Sequence, residues 1–133
     1  MNNLVERYRS DGHPATASVL VHASVKPVVG NTITIQGVVY TFGTDFVGEE
    51  PMIVARSLVA AINADPNTDL NALPNTQPVK NYYAIFYGRL VRLIATFPGT
   101  GGNAMTLATN NAAAFIISGA TFTGGTAANA VIP

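Results

Sequence analysis

Thr32-Ile33-Thr34-Ile35-Gln36-Gly37-Val38-Val39-Tyr40-Thr41-Phe42 is the stretch that decides the fold. Apolar and polar residues alternate on either side of Gln36-Gly37, which is the period of a β-strand. A two-residue turn at Gln36-Gly37 sets Ile35 opposite Val38 and Ile33 opposite Tyr40, with Phe42 extending the same face. Thr32, Thr34, Val39 and Thr41 share the other face. Glycine at the second turn position permits the positive φ such a turn demands. The stretch therefore predicts a hairpin with one apolar face, and that face needs something to pack against.

The next segment supplies it. Pro51 stands where a first helical residue would, behind Glu49 and Glu50, whose charges suit the positive end of a helix dipole. Val54, Leu58, Ala61 and Ile62 then fall on one face, with Arg56 and Asn63 opposite, before Asp65-Pro66 ends the helix. Residues 67–80, rich in Asn, Thr and Pro, read as a surface loop. A second hairpin covers residues 82–97 and turns near Gly88. Val91, Leu93, Ala95 and Phe97 form one of its faces. Leu90, Arg92, Ile94 and Thr96 form the other, which is too apolar to be a plainly solvated face. A hairpin apolar on both faces is expected to be covered on both, one by the helix and the other by a second sheet or a second subunit.

Upstream, Val19, Val21, Ala23 and Val25 alternate with Ser18, Leu20, His22 and Ser24, which predicts β-structure within residues 17–29, closed by Pro27 and Gly30-Asn31. Downstream, a glycine-rich turn at residues 98–103 leads to short strands at 105–108, 115–117 and 121–122, with a turn of helix at 110–114. The expected architecture is α+β: twisted antiparallel β-hairpins or a sandwich with one packed amphipathic helix. It divides into an N-terminal arm at 1–16, a single domain at 17–125 and a C-terminal tail at 126–133. The arm carries Leu4, Val5 and Tyr8, which could form one helical turn before the Asp11-Gly12-His13-Pro14 breaker.

Composition narrows the function. Seven basic and seven acidic side chains give no net charge, which argues against an electrostatic grip on nucleic acid or an anionic membrane. Only 11% of residues are charged, against about 25% in a typical soluble domain. Either other subunits cover part of the surface, or that surface is rich in the uncharged Thr, Asn, Ser and Gly. Without cysteine there is no disulfide and no thiolate zinc site. The charged N-terminal stretch lacks the apolar segment of a secretory signal, and no run approaches the ~18 apolar residues of a membrane helix.

Catalytic chemistry finds little support. His13 and His22 have no carboxylate at helical spacing, so a metal site is not expected. Asp11 and His13 sit on an arm too loose to position a nucleophile. Glu49-Glu50 reads better as helix-start charge than as an acid pair. Pro98-Gly99-Thr100-Gly101-Gly102-Asn103 lacks the lysine and the following helix of a phosphate loop, so its glycines serve backbone turning and close approach. Arg89 and Arg92 among Tyr82, Tyr83, Phe86 and Tyr87 are too few for a phosphate track and read as arginines snorkelling from a packed hairpin. No catalytic residue, metal or cofactor is expected.

Residues 31–104 resemble a module that recurs in tailed-bacteriophage virion proteins, including the tail sheaths of Mu-like phages. In that pattern a "TITING" strand runs into "VTYTF", then a helix ending "AAINA", a strand "VTLTA" and a turn close to "PGTAGNAI". Here these are residues 31–37, Val39-Tyr40-Thr41-Phe42, residues 58–64, residues 91–95 and residues 98–105. The stretch 118–125 is similar to the family's usual ending. Arg92 and Ile94 replace the family's exposed threonines, which marks the outer hairpin face as a candidate contact. The chain is far shorter than a whole sheath subunit. The resemblance implies a non-enzymatic virion protein of tail, neck or baseplate, or alternatively a head decoration or fibre-base binding module. It would assemble in the host bacterial cytoplasm as a homo-oligomer with copies of itself and other virion proteins. The expected contact residues are Leu4, Val5, Tyr8, Tyr83, Leu90, Arg92 and Ile94. A binding module would instead use exposed Tyr82, Tyr83 and Tyr87 to recognise a glycan.

Overall fold

The structure, a computed structural model, describes residues 12–64 and 82–127. Readings that fall on residues 1–11, 65–81 and 128–133, including Leu4, Val5, Tyr8 and the loop at 67–80, lie outside the described residues. In chain order the elements are β1 (Pro14–Val21), β2 (Thr32–Ile35), β3 (Val38–Thr41), α1 (Pro51–Ala64), β4 (Tyr82–Tyr87), β5 (Leu90–Pro98), a 3-10 turn (Thr100–Ala104), β6 (Leu107–Thr109) and β7 (Phe115–Ile117). They form an antiparallel four-stranded sheet, ordered β4-β5-β1-β7, and a three-stranded sheet, ordered β3-β2-β6. The α+β reading holds: the described residues form one α-helix and two antiparallel sheets built on hairpins.

The first hairpin has the register read from its sequence. Ile35 pairs with Val38 and Ile33 with Tyr40. Gln36 and Gly37 both take positive φ, 52° and 80°, the conformation a two-residue turn needs to match the strand twist. Ile33, Ile35, Tyr40 and Phe42 are buried, while Val39 on the opposite face is exposed. Helix α1 starts at Pro51 and buries Val54, Ala55, Leu58 and Ile62. It lies across β4, β5 and β1 and touches β3. The core thus sits between the inner face of the large sheet, the helix and the small sheet, with Val19, Leu93, Phe46, Phe115 and Phe122 at its centre. Edge-to-face contacts join Phe46 to Phe42 and Phe115.

Two expectations about strands are corrected. β1 begins at Pro14 and ends at Val21, so the valine alternation does not continue through Ala23 and Val25. The imidazole of His22 stops it. Its Nδ1 accepts the backbone N–H of Ser24 at 3.0 Å and of Val25 at 2.9 Å, turning the chain into a loop and placing the ring proton on Nε2. At the other end, His13 and Thr126 exchange backbone hydrogen bonds, and Ala15 is fully buried. The bonded fold therefore reaches His13 and Thr126, beyond the 17–125 span read from the sequence.

The second correction concerns the second hairpin. The small sheet and the helix share its inner face, so the second sheet does not cover the outer one. The link is a buried polar contact: the Tyr82 and Tyr40 hydroxyls lie 3.1 Å apart, and Tyr82 Oη donates to the carbonyl of Ile35 at 3.4 Å. Asn63 is not simply a solvent-side residue of the helix. Its amide donates to the carbonyl of Ala84 and accepts the Ala84 N–H, both at 2.9 Å, imitating a neighbouring strand along the edge of β4.

Candidate interaction surface

Antiparallel register places directly opposed residues on one side of a sheet. On the outer side of the large sheet this builds three rows. Tyr87, Leu90, Leu20 and Ile116 run across all four strands; Ile85, Arg92 and Ser18 form the next row; Tyr83, Ile94 and Thr16 form the third. Tyr83, Leu90, Arg92 and Ile94 are therefore brought together on adjacent strands. Leu20 and Ile116 were missed by the sequence reading. Leu20 sits in the polar half of its alternation, and Ile116 lies in a strand of only three residues. Tyr83 is 37% exposed and Tyr87 55%, while Leu90 and Ile94 are half-buried.

A second surface lies at the end of the large sheet where β1 finishes and the β4–β5 hairpin turns. The loop after β1 and the loop before α1 wall an open groove of about 440 Å³, floored by Val21, Phe42 and Val54. A second hollow continues past Glu50 and Pro51 to Met52, Ile53 and Arg89. Six of the ten exposed large apolar side chains among the described residues belong to these loops and the helix start: Val25, Val28, Val29, Val47, Met52 and Ile53. That majority makes this pole, rather than the outer hairpin face, the most apolar open surface described. Val29 is the extreme, at 78% exposed. The termination of β1 at His22 creates the surface, because it turns Val25, Val28 and Val29 out of the sheet.

The opposite pole is closed. The carbonyl of His13 accepts the N–H of Gly99 and of Thr126, both at 3.0 Å. Asn103 brackets Gly125, accepting its N–H at 2.8 Å and donating to its carbonyl at 3.0 Å. A Cβ on Gly102 would lie 2.9 Å from that of Ala15 and 3.1 Å from that of Ala95. Close approach explains this glycine, as its sequence context predicts.

Chemically active groups are dispersed. His13 is exposed, with its backbone tied to Thr126, and the Nδ1 of His22 is occupied by loop amides. Among the described residues no three His, Cys, Asp or Glu side chains converge on a point that could hold a metal ion. Arg89 donates to the carbonyl of Val21 at 3.1 Å, Arg92 is exposed in the middle row of the outer face, and Arg56 lies 5.3 Å from the centre of the Phe86 ring. Tyr82 is fully buried and cannot be the exposed ring that the glycan alternative required. No described helix is long and apolar enough to cross a membrane. No protein-family model matches the chain, and no curated protein is detectably similar to it.

Proposed function

We propose that this chain is a non-enzymatic structural subunit of a tailed-bacteriophage virion, from the tail, neck or baseplate, that assembles into a symmetric oligomer with copies of itself and other virion proteins. The observation that carries the assembly reading is the row Tyr87, Leu90, Leu20 and Ile116, four apolar side chains across the full width of a sheet face in a chain with 11% charged residues. Monomers rarely leave large contiguous apolar surface open to water. The phage assignment rests on the order of the five sequence segments over residues 31–104 and on the similar ending at 118–125.

A second reading, a head decoration or fibre-base module, is favoured by the exposed rings of Tyr83 and Tyr87, which could stack on a sugar. Ile94→Asp separates the two. Its charge falls on the outer face beside Tyr83 and Thr16, where an assembly contact would have to desolvate it. Under the assembly reading the variant dissociates at least ~10-fold more readily, worth about 1.4 kcal/mol, while its melting temperature stays close to that of the parent. An unchanged oligomer in light scattering would contradict the assembly role of this face.

A further inference from the structure

We propose that the N-terminal segment of one copy, residues 4–9, docks in the apolar groove at the open pole of the next copy, head to tail. The inference rests on the self-assembly reading and names the partner of a surface that reading leaves open. Three observations carry it.

The first is polarity. The described chain starts at Gly12, and His13 is fixed at the closed pole by its bonds to Gly99 and Thr126. The groove lies at the far end of β1, where Val21 and His22 line it.

The second is reach. β1 has eight residues from Pro14 to Val21, so its ends are about 23 Å apart at ~3.3 Å per step. Backbone from Gly12 to Tyr8 spans at most about 14 Å, and to Arg9 about 11 Å. A chain therefore cannot place Tyr8 and Arg9 in its own groove. A second copy, its closed pole against the open pole of the first, can. Such a contact is heterologous, and repeating it gives a closed ring or an open helical filament.

The third is complementarity. The groove offers a floor of Val21, Phe42 and Val54 with Val29 and Val47 on its walls, and Glu49, Glu50 and Lys26 also line it. Glu49 and Glu50 are exposed, and among the described residues no cation pairs with them. The segment Leu4-Val5-Glu6-Arg7-Tyr8-Arg9 carries three apolar side chains for the floor, two arginines for the glutamates and one glutamate for the lysine.

The chain has no cysteine, so engineered thiols report the contact directly. A Ser10→Cys chain is mixed with a Met52→Cys chain under mild oxidation, and separately with a Val39→Cys chain, whose site is exposed but lies on β3. Docking raises the local thiol concentration, so the first pair should form mixed disulfide on the order of 10²-fold faster than the second. Equal rates would overturn the inference. As a second measurement, Arg7→Glu/Arg9→Glu and Glu49→Arg/Glu50→Arg should each weaken association about tenfold, and the two sets together in one chain should restore it. Losses that add instead of cancelling would also overturn it. If the parent chain associates but neither result appears, head-to-tail docking falls and the assembly reading stands. If the parent chain is monomeric at every concentration, the assembly reading falls with it.

Discussion

The two poles of the large sheet are built from opposite materials. At the closed pole the residues are small: Gly99, Gly102 and Gly125 with Ala15 and Ala95, locked by backbone hydrogen bonds and by the Asn103 amide. At the open pole the residues are large and apolar, yet Val28, Val29, Val47, Met52 and Ile53 remain in solvent. Tight packing here follows how closely backbones approach rather than how hydrophobic the side chains are. The closed pole contributes to folding. The open pole holds apolar area that folding leaves unburied, and the head-to-tail docking proposed above would bury it.

This contrast can be broken at either end. The largest effect should come from Gly102→Val. Its added carbons have no room between Ala15 and Ala95, and overpacking of this kind costs about 3 kcal/mol. The urea midpoint should fall accordingly, and an unchanged midpoint would show that the closed pole is looser than described. Asn103→Ala comes next. It strips the side-chain partners from both the N–H and the carbonyl of Gly125 in a half-buried site, a loss of about 1–2 kcal/mol in the same measurement. The smallest effect on stability should come from Val29→Ser combined with Ile53→Ser at the open pole. Both side chains are exposed, so the midpoint should move by no more than ~0.5 kcal/mol, while self-association weakens. A large drop in stability would mean that these residues belong to the core.

Much of the fold was legible because its signals are local. The Gln36-Gly37 hairpin shows its register through period-two alternation around a glycine turn, and α1 shows its buried face through 3.6-residue spacing behind Pro51. The end of β1 was not legible by alternation, because Ala23 and Val25 continue the pattern while the imidazole of His22 turns the chain. The amide brackets were invisible for a different reason. Asn63 meets Ala84 and Asn103 meets Gly125 across 21 and 22 residues, and nothing near an asparagine announces so distant a partner. Tyr82 was readable in principle. Carrying the pairing back from a two-residue turn at Gly88-Arg89 sets Tyr82 opposite Ala95, on the inner face, and so removes it from any exposed aromatic site.

On the candidate surface, the outer hairpin face followed from the apolar residues opposite the core side of β5. The open pole did not, because it exists only once the loop after β1, the loop before α1 and the helix start meet. The most direct test of the account is the mass of the full chain in solution, measured by light scattering over a concentration series. Self-assembly should give discrete multiples of the 13.9 kDa chain that grow with concentration. A monomer at every concentration would contradict it.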